Sequence, residues 1–129
     1  MNMQQKNKKH VLLADDDSMT RRLFGSKLAF AGFEVLYATN GDELVEMAIR
    51  FQPDLVVTDI DMPNTDGITA AYKLREDSQT KNINIIFLTN ADISIETEKV
   101  MKELVGASYI PKSIDLLEFI EQVHKVINQ

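Results

Sequence analysis

Short apolar runs alternate with stretches of helical periodicity along almost the whole chain. Residues 11–14, 34–38, 55–58, 83–88 and 108–110 have the length and composition of strands. The run at 83–88 is the most apolar, and the one at 34–38 is short and mixed, as an edge strand would be. The intervening segments predict helices near 19–31, 42–51, 68–76, 93–105 and 114–127. Met19, Leu23, Phe24 and Leu28 recur at helical spacing in the first, with Gly32 as a stop. Leu44, Ala48 and Phe51 share a face of the second, and Leu116, Ile120, Val123 and Ile127 form the apolar stripe of the last. The fourth is less regular and ends at Gly106. Parallel strands need crossover connections and are covered on both faces, so this alternation predicts an α/β fold, a doubly wound parallel sheet of five strands.

The polar residues that end the apolar runs carry the candidate chemistry. Residues 11–14 lead into Asp15-Asp16-Asp17, 55–58 into Asp59, 85–88 into Thr89, and 109–111 into Lys112. In an open parallel sheet, ligands bind beyond the carboxyl ends of the strands, where strand order reverses. Acids, a hydroxyl and an ammonium would therefore meet in one pocket. Two carboxylates about 5 Å apart repel by roughly 3 kcal/mol at an effective dielectric near 20. One lysine does not offset several such acids, whereas a divalent cation does, and Mg²⁺ favours carboxylate, carbonyl and water oxygens. Such a site suits phosphoryl transfer, which depends mainly on positioning and charge neutralisation. Asp59 can then act as nucleophile without a general base, because an ionised carboxylate has no proton to lose. Taken singly, an Asp-Asp-Asp-Ser stretch before a helix is more often capping, and Tyr109 at a strand end more often packing.

Composition narrows the setting. A chain of 129 residues, 44% hydrophobic and 26% charged, forms one ordinary domain, expected over 10–129 with a flexible tail at 1–9. A net charge of -6 argues against nucleic acid as a partner. Lys6, Lys8 and Lys9 make the only basic run and read as part of the solvated tail. With no cysteine there is no disulfide, thiolate metal site or thiol catalysis, and no run approaches the length of a membrane span. The expected location is cytoplasmic, with no membrane partner.

At these residues the chain resembles the response-regulator receiver domains of two-component signalling, over about 11–127. Asp15 and Asp16 match the family's acidic pair, Asp59 its phosphoacceptor, Thr89 its switch hydroxyl, Lys112 its lysine and Tyr109 its switch aromatic. Asp59-Ile60-Asp61-Met62-Pro63, continuing to Asp66-Gly67, matches the loop after the third strand. The resemblance implies a flavodoxin-like (βα)5 fold with sheet order 2-1-3-4-5. It implies Mg²⁺ held by Asp16, Asp59 and the backbone carbonyl of Asp61, with Asp15 acting through water. It implies a histidine kinase or histidine phosphotransfer protein as donor, with Met19, Arg22 and Ser113 as candidate donor contacts. The regulator itself would catalyse transfer to Asp59 and later loss of the phosphoryl group. It would be a signalling switch first, Thr89 and Tyr109 moving together to reshape a surface for a downstream protein.

Ser113 stands where the family usually has proline, and a cis bond before a non-proline residue costs about 3 kcal/mol or more, so a trans link is expected. Asn90 replaces a small residue after the threonine. Asp61 and Ala91 occupy places that in the family influence hydrolysis of the acyl phosphate, and by that resemblance Ala91 implies a labile one. Two other readings stand beside this one. Asp59-Ile60-Asp61 also resembles the Asp-x-Asp of haloacid-dehalogenase-type phosphatases, with Asp59 as nucleophile and Asp61 as acid. A relay intermediate passing phosphate on to a phosphotransfer histidine would use the same receiver residues.

Overall fold

The first strand explains why the apolar runs are continuous. In the computed structural model, which describes residues 8–90 and 93–128, β1 (His10–Ala14) sends Val11 and Leu13 into one apolar layer and Leu12 and Ala14 into the other. Side chains of a strand alternate between its two faces, so a strand covered on both sides needs apolar residues at every position. β3 (Leu55–Asp59) and β4 (Asn84–Thr89) follow the same rule and are almost wholly buried. β2 (Glu34–Ala38) and β5 (Ala107–Pro111) are largely exposed or half-buried because they are the edges. All pairs are parallel, in the order β2-β1-β3-β4-β5 that the resemblance implies. The chain reverses its direction of travel across the sheet between β1 and β3, so the carboxyl ends of these two strands flank the switch point.

Among the described residues five helices cover the two faces. α1 (Ser18–Phe30) and α5 (Leu116–Ile127) share one layer, where Phe24 and Leu28 meet Phe119 and Val123. The rings of Phe24 and Phe119 pack edge to face at 4.9 Å between centroids. α2 (Gly41–Phe51), α3 (Gly67–Glu76) and α4 (Ile95–Glu103) cover the other face through Leu44, Ala48, Ala70, Leu74 and Met101. Full burial of a side chain such as Leu44 contributes about 2 kcal/mol relative to exposure.

Helix starts are set by caps. Side chains of Asp17, Asn40, Asp66, Ser94 and Asp115 each accept a backbone N–H from the first turn of the following helix. Two expected helices therefore shorten. The helix expected at 93–105 is α4, Ile95–Glu103, because Ser94 caps its start and Leu104 has left the helical conformation. The helix expected from 114 begins at Leu116, behind the Asp115 cap. Met19, 66% exposed, and Leu23 do not join the core, although they share helical spacing with Phe24 and Leu28. Spacing defines stripes on a helix, but only docking selects the stripe that meets the sheet.

Lys9 offers its carbonyl to the Glu34 N–H, and the Lys8 ammonium lies 3.8 Å from the Glu34 carboxylate. The rest of the expected tail, residues 1–7, and the expectation at Ala91 lie outside the described residues. Among the described residues no peptide bond is cis, so the Lys112–Ser113 link is trans as expected. No helix among them is long and apolar enough to cross a membrane.

Candidate functional site

The acidic triplet after β1 divides into separate tasks. Asp15 extends the ladder by one bond, its N–H donating to the Ala38 carbonyl at 3.1 Å. Its side chain is wholly buried, and its Oδ1 accepts the Asp17 N–H at 2.9 Å. Asp16 is exposed at the mouth of the site. Asp17 accepts the N–H and hydroxyl of Thr20 and caps α1. The capping reading thus holds for Asp17, leaving the other two acids for the pocket.

Asp59, at the end of β3, is 6% exposed. Its Oδ1 accepts the Ile60 N–H at 2.8 Å and faces the Lys112 Nζ at 3.2 Å. Its Oδ2 takes no hydrogen bond among the described residues. The loop beyond folds back on the strand: Gly67 N–H donates to the Ile60 carbonyl at 2.7 Å, and a Cβ at position 67 would collide with the Asp59 carbonyl. Gly67 is therefore a close-approach residue that seats the Asp59 loop. Asp61, in that loop, is exposed and lines a cleft of about 260 Å³ with Asp59 and Asn90. No hydrogen bond to the Asp61 carbonyl is formed among the described residues.

The other two strand ends complete the pocket. Thr89 is 5% exposed, and its hydroxyl lies 3.5 Å from the Ile110 carbonyl, too long for a firm O–H···O bond. Lys112 N–H donates to the Thr89 carbonyl at 2.8 Å, which prolongs the β4–β5 ladder and aims the lysine inward. Its Nζ lies 2.9 Å from Asp15 Oδ2, bridging that acid to Asp59. Tyr109 points the other way. It is 40% exposed, and its hydroxyl donates to Glu98 Oε1 at 3.1 Å, the same oxygen that Lys102 Nζ approaches at 3.1 Å. Tyr109 is thus no core aromatic.

Carboxylate oxygens of Asp15, Asp16 and Asp59 all lie within 4.8 Å of one another. Three negative charges against the one positive charge of Lys112 leave a formal excess of two negatives. Burial, and then the charge of Asp15, push the Asp59 carboxyl above its ordinary pKa, with Lys112 opposing. Burial works against the Lys112 ammonium, but its close contact with and attraction to Asp15, and then to Asp59, outweigh it and hold the pKa above the usual lysine value. Asp15 Oδ2 is buried and receives no hydrogen bond of good direction, although Lys112 Nζ is close. That contact is an ion pair without hydrogen-bond geometry, so the oxygen is under-satisfied. An under-satisfied buried carboxylate, two further acids and an open carbonyl form an all-oxygen donor set that fits a hard divalent cation such as Mg²⁺.

The expected residues Asp15, Asp16, Asp59, Thr89 and Lys112 are therefore brought together at the strand ends, with Asp61 on the rim and Tyr109 turned outward. Met19, Arg22 and Ser113 are exposed. The sequence reading passed over Arg21, whose Nη1 donates to the Asp15 carbonyl at 2.8 Å, and the Glu98–Lys102 pair that holds Tyr109. An arginine one turn into the helix after an acidic triplet was a usable signal for the first; the i,i+4 spacing marks the Glu98–Lys102 pair, but nothing in the sequence marks its bond to Tyr109.

Known proteins of one family resemble this chain in sequence and fold. The family model for the response regulator receiver domain matches residues 11–124. The polar-differentiation response regulator DivK of Brucella anthropi is 28% identical over 115 residues, covering 89% of this chain and 93% of that protein. The DNA-binding dual master transcriptional regulator RpaA of Synechocystis is 30% identical over 120 residues, which is 92% of this chain; the chain spans only about half (49%) of that relative. Among solved structures, the chemotaxis protein CheY4 of Vibrio cholerae superposes with a TM-score of 0.84 at 25% identity, over 92% of this chain and 98% of that one. The phosphatase reading of Asp59 and Asp61 is not favoured, because the match runs through both strands and helices that precede Asp59. This chain belongs to the response regulator receiver domain family of two-component signalling.

Proposed function

We propose that residues 10–129 form a phosphoryl-accepting switch, with 1–9 as a tail, and that Asp59 takes a phosphoryl group from a phosphohistidine on a histidine kinase or phosphotransfer protein. The observation that carries this is the state of Asp59: one oxygen held by Ile60 and Lys112, the other unbonded at the mouth of an acidic pocket. In the reaction the free Asp59 oxygen forms a bond to phosphorus while the bond from phosphorus to the donor nitrogen breaks, its electron pair remaining on the imidazole. Lys112 balances negative charge on Asp59 and the incoming oxygens. Bound by Asp16, Asp59 and the Asp61 carbonyl, with Asp15 acting through water, Mg²⁺ would neutralise the pocket and hold phosphoryl oxygens. The test is incubation with acetyl phosphate and Mg²⁺, which is expected to add one hydroxylamine-sensitive phosphoryl group. A protein that gains no such mass would act as a binding scaffold only.

The readout is a change at Thr89 and Tyr109. The Thr89 hydroxyl has only a long contact to give up, so it is free to donate to a phosphoryl oxygen on Asp59. That leaves space beside β4 into which the Tyr109 ring turns, reshaping the surface of α4, β5 and α5 for a downstream protein. To turn, Tyr109 must leave the Glu98 carboxylate, whose pKa is lowered by its bond to Lys102 and then by Tyr109 itself. Glu98→Ala is therefore expected to raise the inward population of Tyr109 by about twofold to fivefold, as befits a solvent-screened contact. Exchange of the Tyr109 ring signals in NMR spectra measures it, and an unchanged population would show that the outward position has another cause.

A further inference from the structure

At the end of β1 the sheet runs out of partners. The β1–β2 register ends at the Ala14–Ala38 pair and the β1–β3 register at Ala14–Thr58. Asp15 is wholly buried there. Its N–H reaches Ala38 and its carboxylate Oδ1 accepts the Asp17 N–H, but among the described residues no backbone N–H donates to its carbonyl. A buried carbonyl needs a donor. Arg21 supplies it from the first turns of α1, with Nη1 at 2.8 Å, while its own backbone N–H is bonded to the Asp17 carbonyl at 3.1 Å. Three carboxylates lie close by, yet among the described residues the Arg21 guanidinium forms no ion pair with any of them.

We infer that Arg21 is a positioning residue for the cation site: by holding the Asp15 carbonyl it sets the direction in which Asp16 leaves the β1–α1 turn, and so the affinity for Mg²⁺. The peptide unit is planar, so fixing the Asp15 carbonyl also fixes the N–H and Cα of Asp16. The guanidinium is itself a planar fork rooted in a helix, which makes it a stiff support. Partners that orient a ligand without touching the metal affect affinity strongly.

The inference rests on the Mg²⁺ reading proposed above, and charge provides a sharp test of it. Arg21 is a cation beside an anionic pocket, so charge alone would make its removal tighten Mg²⁺ binding. Positioning alone would make the same removal weaken it. The experiment is Mg²⁺ titration of the full chain, followed by amide NMR shifts, for wild type, Arg21→Ala, Arg21→Gln and Arg21→Lys, with melting temperatures recorded in metal-free buffer. Arg21→Ala is expected to weaken Mg²⁺ about tenfold. Arg21→Gln, a neutral donor, and Arg21→Lys, a charged one, should both recover most of the affinity. Tighter binding by Arg21→Ala or Arg21→Gln would overturn the inference in favour of a charge effect. A lowered melting temperature with unchanged affinity would overturn it in favour of a purely structural role. If Arg21→Ala does not fold, the other two decide: similar affinities support positioning, and Arg21→Gln binding more tightly than Arg21→Lys overturns it. A wild-type protein with no saturable Mg²⁺ response would remove the functional reading and the role of Arg21 with it, whereas a normal wild type with indifferent variants removes only the latter.

Discussion

Replacing Asp59 by alanine is expected to abolish hydroxylamine-sensitive phosphorylation by acetyl phosphate and Mg²⁺. No other acid in the pocket has the same combination of properties. Asp15 is fully buried, with Oδ1 on the Asp17 N–H and Oδ2 against Lys112. Asp16 is exposed, outside the bonds by which Ile60 and Lys112 orient Asp59. Mass spectrometry after acetyl phosphate treatment reads the result, and undiminished labelling of the variant would remove Asp59 from its role. The substitution Asp59→Asn adds a second readout, on stability. Burial and the charge of Asp15 both raise the Asp59 pKa, so its charged form is disfavoured in the metal-free fold. Neutralising it should therefore stabilise that fold and raise its melting temperature. Thermal denaturation in the presence of a chelator checks the sign, and a lower melting temperature would mean that the Lys112 and Ile60 contacts outweigh the repulsion.

The second large effect is expected from Lys112→Ala. Lys112 is the cation that faces Asp15 at 2.9 Å and Asp59 at 3.2 Å. Taking it away leaves two buried carboxylates facing each other, and breaking a buried pair from one side costs about 3 kcal/mol. Saturating Mg²⁺ should return part of that loss, since a cation that binds only the folded state stabilises it by mass action. Urea denaturation with and without Mg²⁺ therefore gives a larger metal-dependent gain for the variant than for wild type. Phosphorylation should slow by roughly a hundredfold, the loss expected on removing one preorganised charge from a reacting phosphoryl group. Equal metal-dependent gains in the two proteins would show that Lys112 and the cation do not share the same carboxylates.

These two predictions draw on residues visible in the sequence, and that reflects how parallel sheets are written. The central strands are buried on both faces, so apolar character runs unbroken until the chain leaves the sheet. Asp15, Asp59, Thr89 and Lys112 stand out because each interrupts such a run where it ends. The helices were legible to within their caps. Their ends moved where a Ser or Asp could serve either as the first helical residue or as the cap, as at Ser94 and Asp115, a choice made by local hydrogen bonding.

What the sequence determined by itself is the alternation of strands and helices, and the set of charges and hydroxyl delivered to one edge of the sheet. What only the tertiary structure decided is which partners those groups meet. It chose Phe24 and Leu28 over Met19 and Leu23 for the core, placed Gly67 against the Asp59 carbonyl, turned Tyr109 out to Glu98, and set Arg21 on the carbonyl of Asp15. The physical reason is range. Periodicity and chain ends follow from local sterics and burial, whereas each of these contacts depends on how far a side chain reaches once helix and sheet have docked.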